Sequence, residues 1–419
     1  MLQFPDQYPN FSELQSPELI EFLLGDFQLV EKVEHEVTRI RAGILRDGAS
    51  LELLSAMAID CFAKEYILSE TKNEHDILAH LSLYDGPKSV AMLACYRPLM
   101  SFHEPTWLLE TEAPNDIYRR LLSTQIVEPL EERRLRGEIP SIGAISDQVS
   151  LTVRSMYEEN PLPRWTLRPK SALRHDARVA MLVAGCGSGH QPIQLALEYP
   201  NSTIVALDLS MASLAYGLRK AREFGIKNIE FIHGDILNVA ELNRHFDFIS
   251  CVGVLHHMAD PYAGLTALRE VLTKDGYIEL GLYSKHGRQA NNHAIALRTR
   301  LGLGPTPSDI RQFRESIFGL PPQHPAREIT RFAEFYSIAG CRDLAFHPHE
   351  HLLTLPELSQ LISKAGFRLK RFCPPEKAIA KFKHELPAGD LNSLEHWHGF
   401  ELSHPNTFRS MYRLVVEKD

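Results

Sequence analysis

The chain has 419 residues, which is too long for one ordinary domain and predicts two or three. Apolar residues make up 44% of the chain, which is normal for a globular protein with a real core. The 45 Lys and Arg residues against 53 Asp and Glu residues give a net charge of −8. Such a mildly acidic chain is a poor non-specific nucleic-acid binder, so we expect no nucleic-acid partner.

Cysteine spacing and hydropathy predict a cytoplasmic protein. The six cysteines are scattered without a C-x-x-C pair, so neither a disulfide framework nor a zinc ribbon is indicated. The N-terminal sequence MLQFPDQYPN lacks a basic segment followed by an apolar run. No stretch of about 18 apolar residues occurs, so we expect neither a transmembrane helix nor a membrane partner.

The N-terminal part, residues 1–150, is predicted to be an all-helical domain. Apolar residues recur every three or four positions over 19–45, and the pattern repeats over 51–69. We find no internal repeat with a period of about 30 to 45 residues. The helices are therefore expected to pack as a single domain and not as a repeat array.

Residues 177–285 alternate between short, apolar, β-rich runs and helical stretches. This alternation predicts a parallel sheet with helices on both faces, and continuous apolar runs fit strands that are buried on both sides. The predicted strands are 179–185, 203–209, 229–235, 246–254 and 277–283. The predicted helices between them are 191–199, 211–225 and 261–276.

The alternation stops at 286–350, where several arginines and two proline clusters indicate an inserted, mostly helical cap. Residues 351–419 complete the sheet, with a helix over 354–367 and strands over 367–372 and 411–418. The predicted fold class is α/β: a Rossmann-like, seven-stranded sheet with an N-terminal helical domain and a helical cap insertion. The arginines of the cap favour a solvated face or, as a sharper hypothesis, a site for an acidic acceptor. They are Arg288, Arg298, Arg300, Arg311, Arg314, Arg327 and Arg331.

A glycine-rich segment, LVAGCGSGHQ (182–191), ends the first predicted strand and opens the first helix. Gly185, Gly187 and Gly189 allow the backbone to turn tightly and to approach a ligand. The helix that follows presents the positive end of its dipole. Asp208 ends the second predicted strand, where a carboxylate can accept hydrogen bonds from both hydroxyls of a ribose. The pattern therefore predicts a cofactor that carries a ribose.

The spacing of the glycines distinguishes between cofactors. The pattern is G-x-G-x-G, whereas a dinucleotide fingerprint is G-x-G-x-x-G, and His190 stands where that fingerprint needs a small residue. No Lys follows that would complete a phosphate-binding P-loop. We predict S-adenosyl-L-methionine, with NAD(P) or a ligand-free structural turn as the alternatives.

Four segments, VAMLVAGCGSG, IVALDLS, FIHGDI and FDFISCVGVLHHMADP, resemble the class I S-adenosylmethionine-dependent methyltransferases in order and spacing. That resemblance implies that Asp235 reaches the adenine amino group and that Ile236 packs on the ring. It also implies that Gly253 and Val254 lie beside the cofactor. The cofactor-binding residues expected from motif and resemblance are Gly185, Cys186, Gly187, Gly189, Asp208, Leu209, Asp235, Ile236, Gly253 and Val254.

A closer resemblance uses segments outside this core. YEENPLPRW (157–165), CRDLAFHPHEHLLTLPEL (341–358) and WHGFELSHPNTFRSMYRLVVEK (397–418) resemble a bacterial methyltransferase group that is often fused to tetratricopeptide repeats. This chain differs from that group because it has no recognisable repeats. The resemblance implies a bacterial origin but not repeat-based recognition of a partner.

His256 and His257 follow the fourth predicted strand, at the carboxyl edge of the sheet where open α/β sheets bind ligands. Methyl transfer starts from an electrophile that the cofactor already activates, so the protein mainly aligns the acceptor. A general base helps when the acceptor has a proton to lose. We predict that one of these histidines accepts that proton or orients the acceptor. The alternative is that the pair caps a loop and packs against the next helix.

Two further segments are candidates for the acceptor side. The connector, 151–176, contains a polar and aromatic cluster that is predicted to fold over the cofactor, or else to be a linker with one anchoring Trp. The H-x-H-E-H stretch at 347–351 resembles a metal site, but Pro348 keeps its side chains from sharing one helical face, so no metal is expected. It is predicted to line the acceptor pocket or to form a surface loop. The acceptor-site candidates are Tyr157, Asn160, Arg164, Trp165, Tyr283, His347 and His351.

These observations predict an S-adenosylmethionine-dependent methyltransferase that acts on a nitrogen or oxygen nucleophile, with a peptide or protein as the favoured acceptor. A small-molecule acceptor is the main alternative. A non-catalytic cofactor-binding scaffold and a nicotinamide-dependent oxidoreductase are the others, and intact glycines and their spacing argue against both. The oligomeric state is not predicted.

Overall fold

A computed structural model of the chain describes residues 17–25, 30–159, 161–162, 164–165, 167–169 and 174–419. Its α-helices are α1 (Pro17–Leu24), α2 (Glu31–Asp47), α3 (Leu51–Ala63), α4 (Lys72–Leu78), α5 (Pro87–Ala94), α6 (Asp116–Leu122), α7 (Glu128–Leu135), α8 (Gln148–Glu158), α9 (His190–Glu198), α10 (Met211–Glu223), α11 (Pro261–Val271), α12 (Gln289–Arg300), α13 (Pro307–Phe318), α14 (Ile338–Phe346), α15 (Leu355–Lys364), α16 (Glu376–Glu385) and α17 (Leu394–Ser403). Its strands are β1 (Ala180–Ala184), β2 (Thr203–Asp208), β3 (Ile229–His233), β4 (Phe246–Val252), β5 (Leu272–Leu282), β6 (Phe367–Phe372) and β7 (Tyr412–Lys418). None of the helices in the described part of the chain is long and apolar enough to cross a membrane.

Contacts divide the chain into two units. The helical unit consists of residues 1–134, 163–167 and 294–346. The sheet unit consists of residues 135–162, 168–293 and 347–419 and contains all seven strands.

The strands of the sheet unit form one sheet in the order β3-β2-β1-β4-β5-β7-β6. The first five are parallel to one another, and β7 is antiparallel to both β5 and β6. The inner strands are buried along nearly their whole length, as in Met181–Ala184 of β1. Both faces of the sheet are thus covered, which explains the continuous apolar runs. The predicted Rossmann-like, seven-stranded α/β fold is confirmed.

One boundary differs from the sequence prediction. The helix predicted over 261–276 ends at Val271, and β5 begins at the next residue. Leu272 is almost fully buried and pairs with Phe246 of β4. Pairing and burial of this leucine outweigh the helical pattern of the residues before it, because tertiary contacts override weak local propensity.

The helical unit has one hydrophobic core, to which both the N-terminal helices and residues of 294–346 contribute. Leu53 and Met57 of α3 belong to the same cluster as Phe313 of α13 and Phe335. Sequence periodicity treats 1–150 and 286–350 as separate stretches because the sheet unit lies between them in the chain. The structure places much of both around a single core.

Three arginines of 294–346 lie inside the helical unit and not on a solvated face. Arg314 is 2% exposed, forms an ion pair with Glu34 and donates to the carbonyl oxygen of Phe335 over 2.8 Å. Arg311 donates to the carbonyl oxygen of Tyr66 in the turn after α3, and Arg327 forms an ion pair with Glu31 of α2. The interpretation as a solvated face is wrong for these three, because buried guanidinium groups need partners that only the folded unit supplies.

Candidate functional site

The predicted cofactor residues follow four neighbouring parallel strands. Gly185 comes directly after β1, and Asp208 is the last residue of β2. Asp235 lies two residues after β3, and Gly253 follows β4. Because the strands run in the order β3-β2-β1-β4, their carboxyl ends place these residues along one edge of the sheet. Ligands of open α/β sheets bind at that edge.

All three glycines of the motif have left-handed backbone conformations. Their φ angles are +77° at Gly185, +53° at Gly187 and +85° at Gly189, which residues with a Cβ adopt only at a cost. A Cβ on Gly185 would collide with the side chain of Val254. A Cβ on Gly187 would lie 2.7 Å from the carbonyl oxygen of Leu162. The glycine loop is therefore closely packed, and no other residue type fits it without rearrangement.

Asp208 connects the glycine loop to the end of β2. Its Oδ2 accepts a hydrogen bond from the backbone amide of Gly187 over 2.7 Å, and its Oδ1 accepts one from the amide of Ser210 over 2.8 Å. Burial raises the pKa of this carboxyl group, while the two amides and the nearby His233 counteract the shift. These bonds fix the carboxylate in one orientation, as recognition of a ribose requires.

Cys186 and Leu209 are held through their backbones. The amide of Cys186 donates to the carbonyl oxygen of Leu207 over 3.0 Å. Burial raises the pKa of the Cys186 thiol, so it stays protonated and is not a nucleophile. The carbonyl oxygen of Leu209 is 3.0 Å from Nε2 of His233, which ties the end of β2 to β3.

Asp235 begins a short 3-10 turn, Ile236–Leu242, and caps it by accepting from the amide of Leu237 over 3.0 Å. Asp235 and Ile236 are both buried, with 3% and 6% exposure. The position is consistent with the adenine contact that the resemblance implies for these residues.

The end of α8 and the residues after it pack directly on the glycine loop and on the loop after β2. The carbonyl oxygen of Leu162 accepts from the amide of Ser188 over 3.1 Å. The carbonyl of Tyr157 accepts from Ser210 Oγ, and Oε1 of Glu158 accepts from the amide of Met211 over 2.6 Å. The connector thus caps the N-terminus of α10 with a carboxylate, which the helix dipole favours.

The other acceptor-site candidates of the connector do not belong to the described part of the sheet unit. Asn160 lies outside the described residues. Arg164 and Trp165 belong to the helical unit, where the guanidinium of Arg164 lies 4.8 Å over the ring of Phe62 and Trp165 is 6% exposed. Their role at the acceptor site stays a prediction.

His256 is completely buried at the carboxyl edge of the sheet. Its ring centroid lies 3.7 Å from that of Tyr283 and 4.3 Å from that of His257. Neither ring nitrogen has a hydrogen-bond partner among the described residues. Burial, aided by the nearby His257 and Arg288, lowers the pKa of His256 well below its usual value. The ring is neutral at pH 7, and its placement argues against proton exchange with an acceptor.

His257 has a defined orientation. Its Nδ1 lies 3.0 Å from the carbonyl oxygen of His349, and its ring stacks on His347 at a centroid distance of 3.6 Å. A carbonyl oxygen can only accept, so Nδ1 carries the proton and Nε2 keeps its lone pair in the neutral ring. This is the arrangement that a general base needs.

The H-x-H-E-H stretch forms a loop that is hydrogen-bonded to the turn after β4. The amide of His351 donates to the carbonyl of His256 over 2.7 Å, and its Nε2 lies 3.1 Å from the carbonyl of Met258. Glu350 forms an ion pair with the buried Arg288 over 2.5 Å, and the guanidinium of Arg288 lies 4.0 Å over the ring of Tyr283. The structure therefore brings the two predicted histidine segments and Tyr283 together.

A cleft of about 400 Å³ occurs elsewhere on the sheet unit. Its lining residues lie around the beginnings of β1 and β2, such as Arg178 and Thr203. Those strand ends are at the edge opposite to the glycine loop, so this cleft is not the predicted cofactor site.

Comparisons with known proteins agree with the geometry of the glycine loop and sheet edge. Residues 175–299 match the family model of a methyltransferase domain. The chain carries a class I, S-adenosylmethionine-dependent methyltransferase domain. It is 29% identical to an uncharacterised protein of Synechococcus over 57% of this chain and 63% of that protein. It is 34% identical to trans-aconitate 2-methyltransferase of Deinococcus radiodurans over 24% of this chain and 37% of that enzyme.

A solved structure of PKMT2 from Rickettsia typhi in complex with AdoHcy matches 67% of this chain and 54% of its own, with a TM-score of 0.45 and 16% identity. The chain spans less than two thirds of the length of each of these three proteins. The narrower resemblance to methyltransferases fused to tetratricopeptide repeats stays a prediction.

The residues of the methyltransferase domain fit S-adenosylmethionine as the cofactor. Gly185 and Gly187 leave no room for a side chain beside the loop, and Asp208 presents a fixed carboxylate. Ser188 and Gly189 lead into the N-terminus of α9. A nucleoside with two ribose hydroxyls and a charged amino-acid tail suits these three features.

The sequence does not reveal three residues that contact the predicted site in the structure. Leu162 contributes only a carbonyl oxygen, so no side-chain signal could reveal it. Glu158 lies within the polar cluster of the connector. Its position in the sequence does not indicate that its carboxylate accepts from the first amide of α10. Arg288 was grouped with solvated arginines, although an adjacent Tyr283 and a distant Glu350 bury it.

Proposed function

We propose that the whole chain is an S-adenosylmethionine-dependent methyltransferase that methylates a nitrogen or oxygen nucleophile on a peptide or protein. The observation that supports the proposal most is the glycine loop held between Asp208 and Leu162. The loop is hydrogen-bonded both to Asp208, the proposed ribose ligand, and to Leu162 of the connector.

S-adenosylmethionine supplies a methyl group on a positively charged sulfur, so no side chain has to activate it. In the proposed step the acceptor's nitrogen or oxygen forms a bond to the methyl carbon as the carbon–sulfur bond breaks, and the acceptor loses one proton. His257 would take that proton on Nε2, since its Nδ1 already donates to His349. Tyr283 and His256 would hold the ring of His257 in place through their packing.

The cofactor side of the proposed site comprises the ten residues predicted from the motif and the resemblance, all of them near the ends of β1 to β4. The proposed acceptor side comprises Tyr157, Tyr283, His347 and His351. These four lie in the sheet unit, and three of them contact one another or the histidine pair through their rings.

The size of the chain supports a macromolecular acceptor. The helical unit carries no cofactor motif, although it has its own core and several buried ion pairs. A small-molecule pocket is compact and needs little protein beyond the domain that forms it. An ordered additional unit is more useful for binding a peptide or protein.

A small-molecule acceptor is the second candidate. It is supported by the relative named trans-aconitate 2-methyltransferase, whose name specifies a small carboxylic acid. The class I fold serves many acceptors, so similarity to that enzyme does not choose between the two.

Transfer of labelled methyl groups tests the proposal. The purified full chain is incubated with methyl-labelled S-adenosylmethionine and size-fractionated bacterial lysate, with the Gly187→Ala variant as the control. We expect protease-sensitive label in the macromolecular fraction with the wild type and much less label with the variant. Label confined to the low-mass fraction would contradict the macromolecular acceptor. Cofactor binding without transfer to any fraction would contradict the enzymatic function.

A further inference from the structure

Three side chains outside the methyltransferase site come together in the sheet unit. His286 lies in the turn between β5 and α12, while His398 and Glu401 lie on α17. One ring nitrogen of each histidine and one carboxylate oxygen of Glu401 lie within 4.8 Å of one another. The i, i+3 spacing places His398 and Glu401 on the same face of their helix. The fold thus gathers two imidazoles and a carboxylate from distant parts of the chain.

Both imidazoles have an unsatisfied buried nitrogen. Nε2 of His286 and Nδ1 of His398 are shielded from solvent and have no hydrogen-bond partner among the described residues. A buried polar atom without a partner lowers stability, and most buried polar atoms in folded proteins have a partner. A single partner that accepts an electron pair from each ring would satisfy both nitrogens.

Glu401 adds a negative charge to this point. Its side chain is fully buried, and among the described residues no Lys or Arg forms an ion pair with it. Its Oε1 accepts from Ser284 Oγ over 2.5 Å, and its Oε2 accepts from the hydroxyl of Tyr412 over 2.6 Å. A buried carboxylate normally has a cation as its partner.

We propose that His286, His398 and Glu401 bind a divalent zinc-type metal ion. Two imidazoles and one carboxylate are a ligand set that zinc accepts, and three protein ligands leave a fourth position for water. Ligands of a tetrahedral zinc ion lie roughly 3.3 Å apart, as bond lengths near 2.1 Å require. The three ligand atoms lie within 4.8 Å of one another, so a bound ion would draw them closer together.

The surroundings have the features of a metal site. A carboxylate that binds a metal is itself hydrogen-bonded, and such partners orient it. Ser284 and Tyr412 supply these bonds, and Ser284 is fixed in turn by the amide of Gly287, which donates to its Oγ over 2.8 Å. A bound ion would connect the turn after β5 to α17.

Metal binding to the full chain tests this inference directly. Protein stripped with a chelator is titrated with Zn²⁺ against a chromophoric competitor, and with Co²⁺ to record its visible absorption. We expect one ion per chain bound more tightly than by exposed histidines, intense bands of tetrahedral Co²⁺, and a melting temperature that rises with Zn²⁺. His286→Ala and His398→Ala should each weaken this binding at least a hundredfold.

Matched controls separate the site from the other histidines and acids of the chain. His384→Ala and Glu395→Gln replace exposed residues on α16 and α17, and both should bind Zn²⁺ as the wild type does. If an alanine variant does not fold, His286→Gln and His398→Gln take its place. The inference is overturned if the stripped wild type binds no ion tightly, or if it binds one that the His286 and His398 variants retain. In that case a buried water is the shared partner of the two nitrogens.

Discussion

The backbone amide of Gly187 donates a hydrogen bond to Oδ2 of Asp208 over 2.7 Å. This bond joins the middle of the glycine loop to the end of β2, and the carbonyl of Leu162 lies against the other side of the same glycine. Loop, strand end and connector therefore form one structural element. A change at any of the three is expected to affect cofactor binding through the other two.

Gly187→Ala should weaken S-adenosylmethionine binding at least tenfold. The added methyl group would lie 2.7 Å from the Leu162 carbonyl and displace the connector. Gly225→Ala is the matched control, because Gly225 also has a positive φ, of +68°, but has open space around it. Both changes should cost about 1–2 kcal/mol of stability through the left-handed backbone. Calorimetric affinities that fall equally in the two variants would show that strain alone, and not the contact, matters.

Cofactor affinity should decrease on acidification at a higher pH than an ordinary aspartate would cause. Binding of ribose hydroxyls requires the ionised carboxylate of Asp208, and burial raises its pKa, so the proton is taken up above the usual value of about 3.9. His233 and Glu158 face this group and shift its pKa in opposite directions. Asp208→Asn should bind more weakly at neutral pH and with little pH dependence. Dissociation constants measured from about pH 8 to about pH 4 check this, and a wild type that loses affinity only around the usual aspartate value of about 3.9 contradicts it.

The two adjacent histidines should differ in their effect on turnover. His257→Ala should reduce kcat at least tenfold with cofactor affinity within twofold of the wild type, since its Nε2 is the proposed base. His256→Phe keeps a buried aromatic ring against Tyr283 and should retain most of the turnover. The labelled-methyl assay measures kcat of both variants, and calorimetry measures their affinity for the cofactor. If His256→Phe folds but has no activity, His257 is the wrong histidine for the proposed base.

Burial of His256 should make the protein less stable in mild acid. Its pKa in the folded protein is well below normal, whereas in the unfolded chain it is about 6.5. The unfolded chain therefore binds the extra proton, and the free energy of unfolding falls as the pH drops below about 6.5, by at most about 1.4 kcal/mol per pH unit. His256→Phe should remove that part of the slope. Denaturant titrations at several pH values measure the difference between the two proteins.

The buried ion pair between Glu34 and Arg314 should be essential to the helical unit. Glu34→Ala leaves the guanidinium of Arg314 buried without its partner, which costs about 3–5 kcal/mol. Glu36→Ala, two residues along α2, removes an exposed pair with Arg39 and should cost less than about 1 kcal/mol. Because Arg314 and Glu34 come from opposite ends of the unit's sequence, a fragment of residues 1–134 should not fold alone. A cooperative thermal transition of that fragment would contradict the shared core.

The strands, the glycine loop and Asp208 could be predicted from the sequence, because each depends on residues that are close together in the chain. The alternation of apolar runs with helical stretches predicts the strands and their parallel order, because burial on both faces leaves few polar residues in a strand. The glycines at 185, 187 and 189 are required by backbone geometry within a single turn. Asp208 is found by its distance from that turn, because a strand and a helix separate the two positions in this type of fold.

Other features could be decided only by the tertiary structure. Which of His256 and His257 keeps an available nitrogen depends on burial under Tyr283 and on the carbonyl of His349, neither of which is near in sequence. Leu162 contacts the glycine loop through its backbone carbonyl, so the contact does not depend on the type of residue at that position. His286 and Glu401 become neighbours because β5 and α17 pack in the same unit. Their chemistry comes from desolvation and from contacts between distant residues, and a linear pattern contains neither.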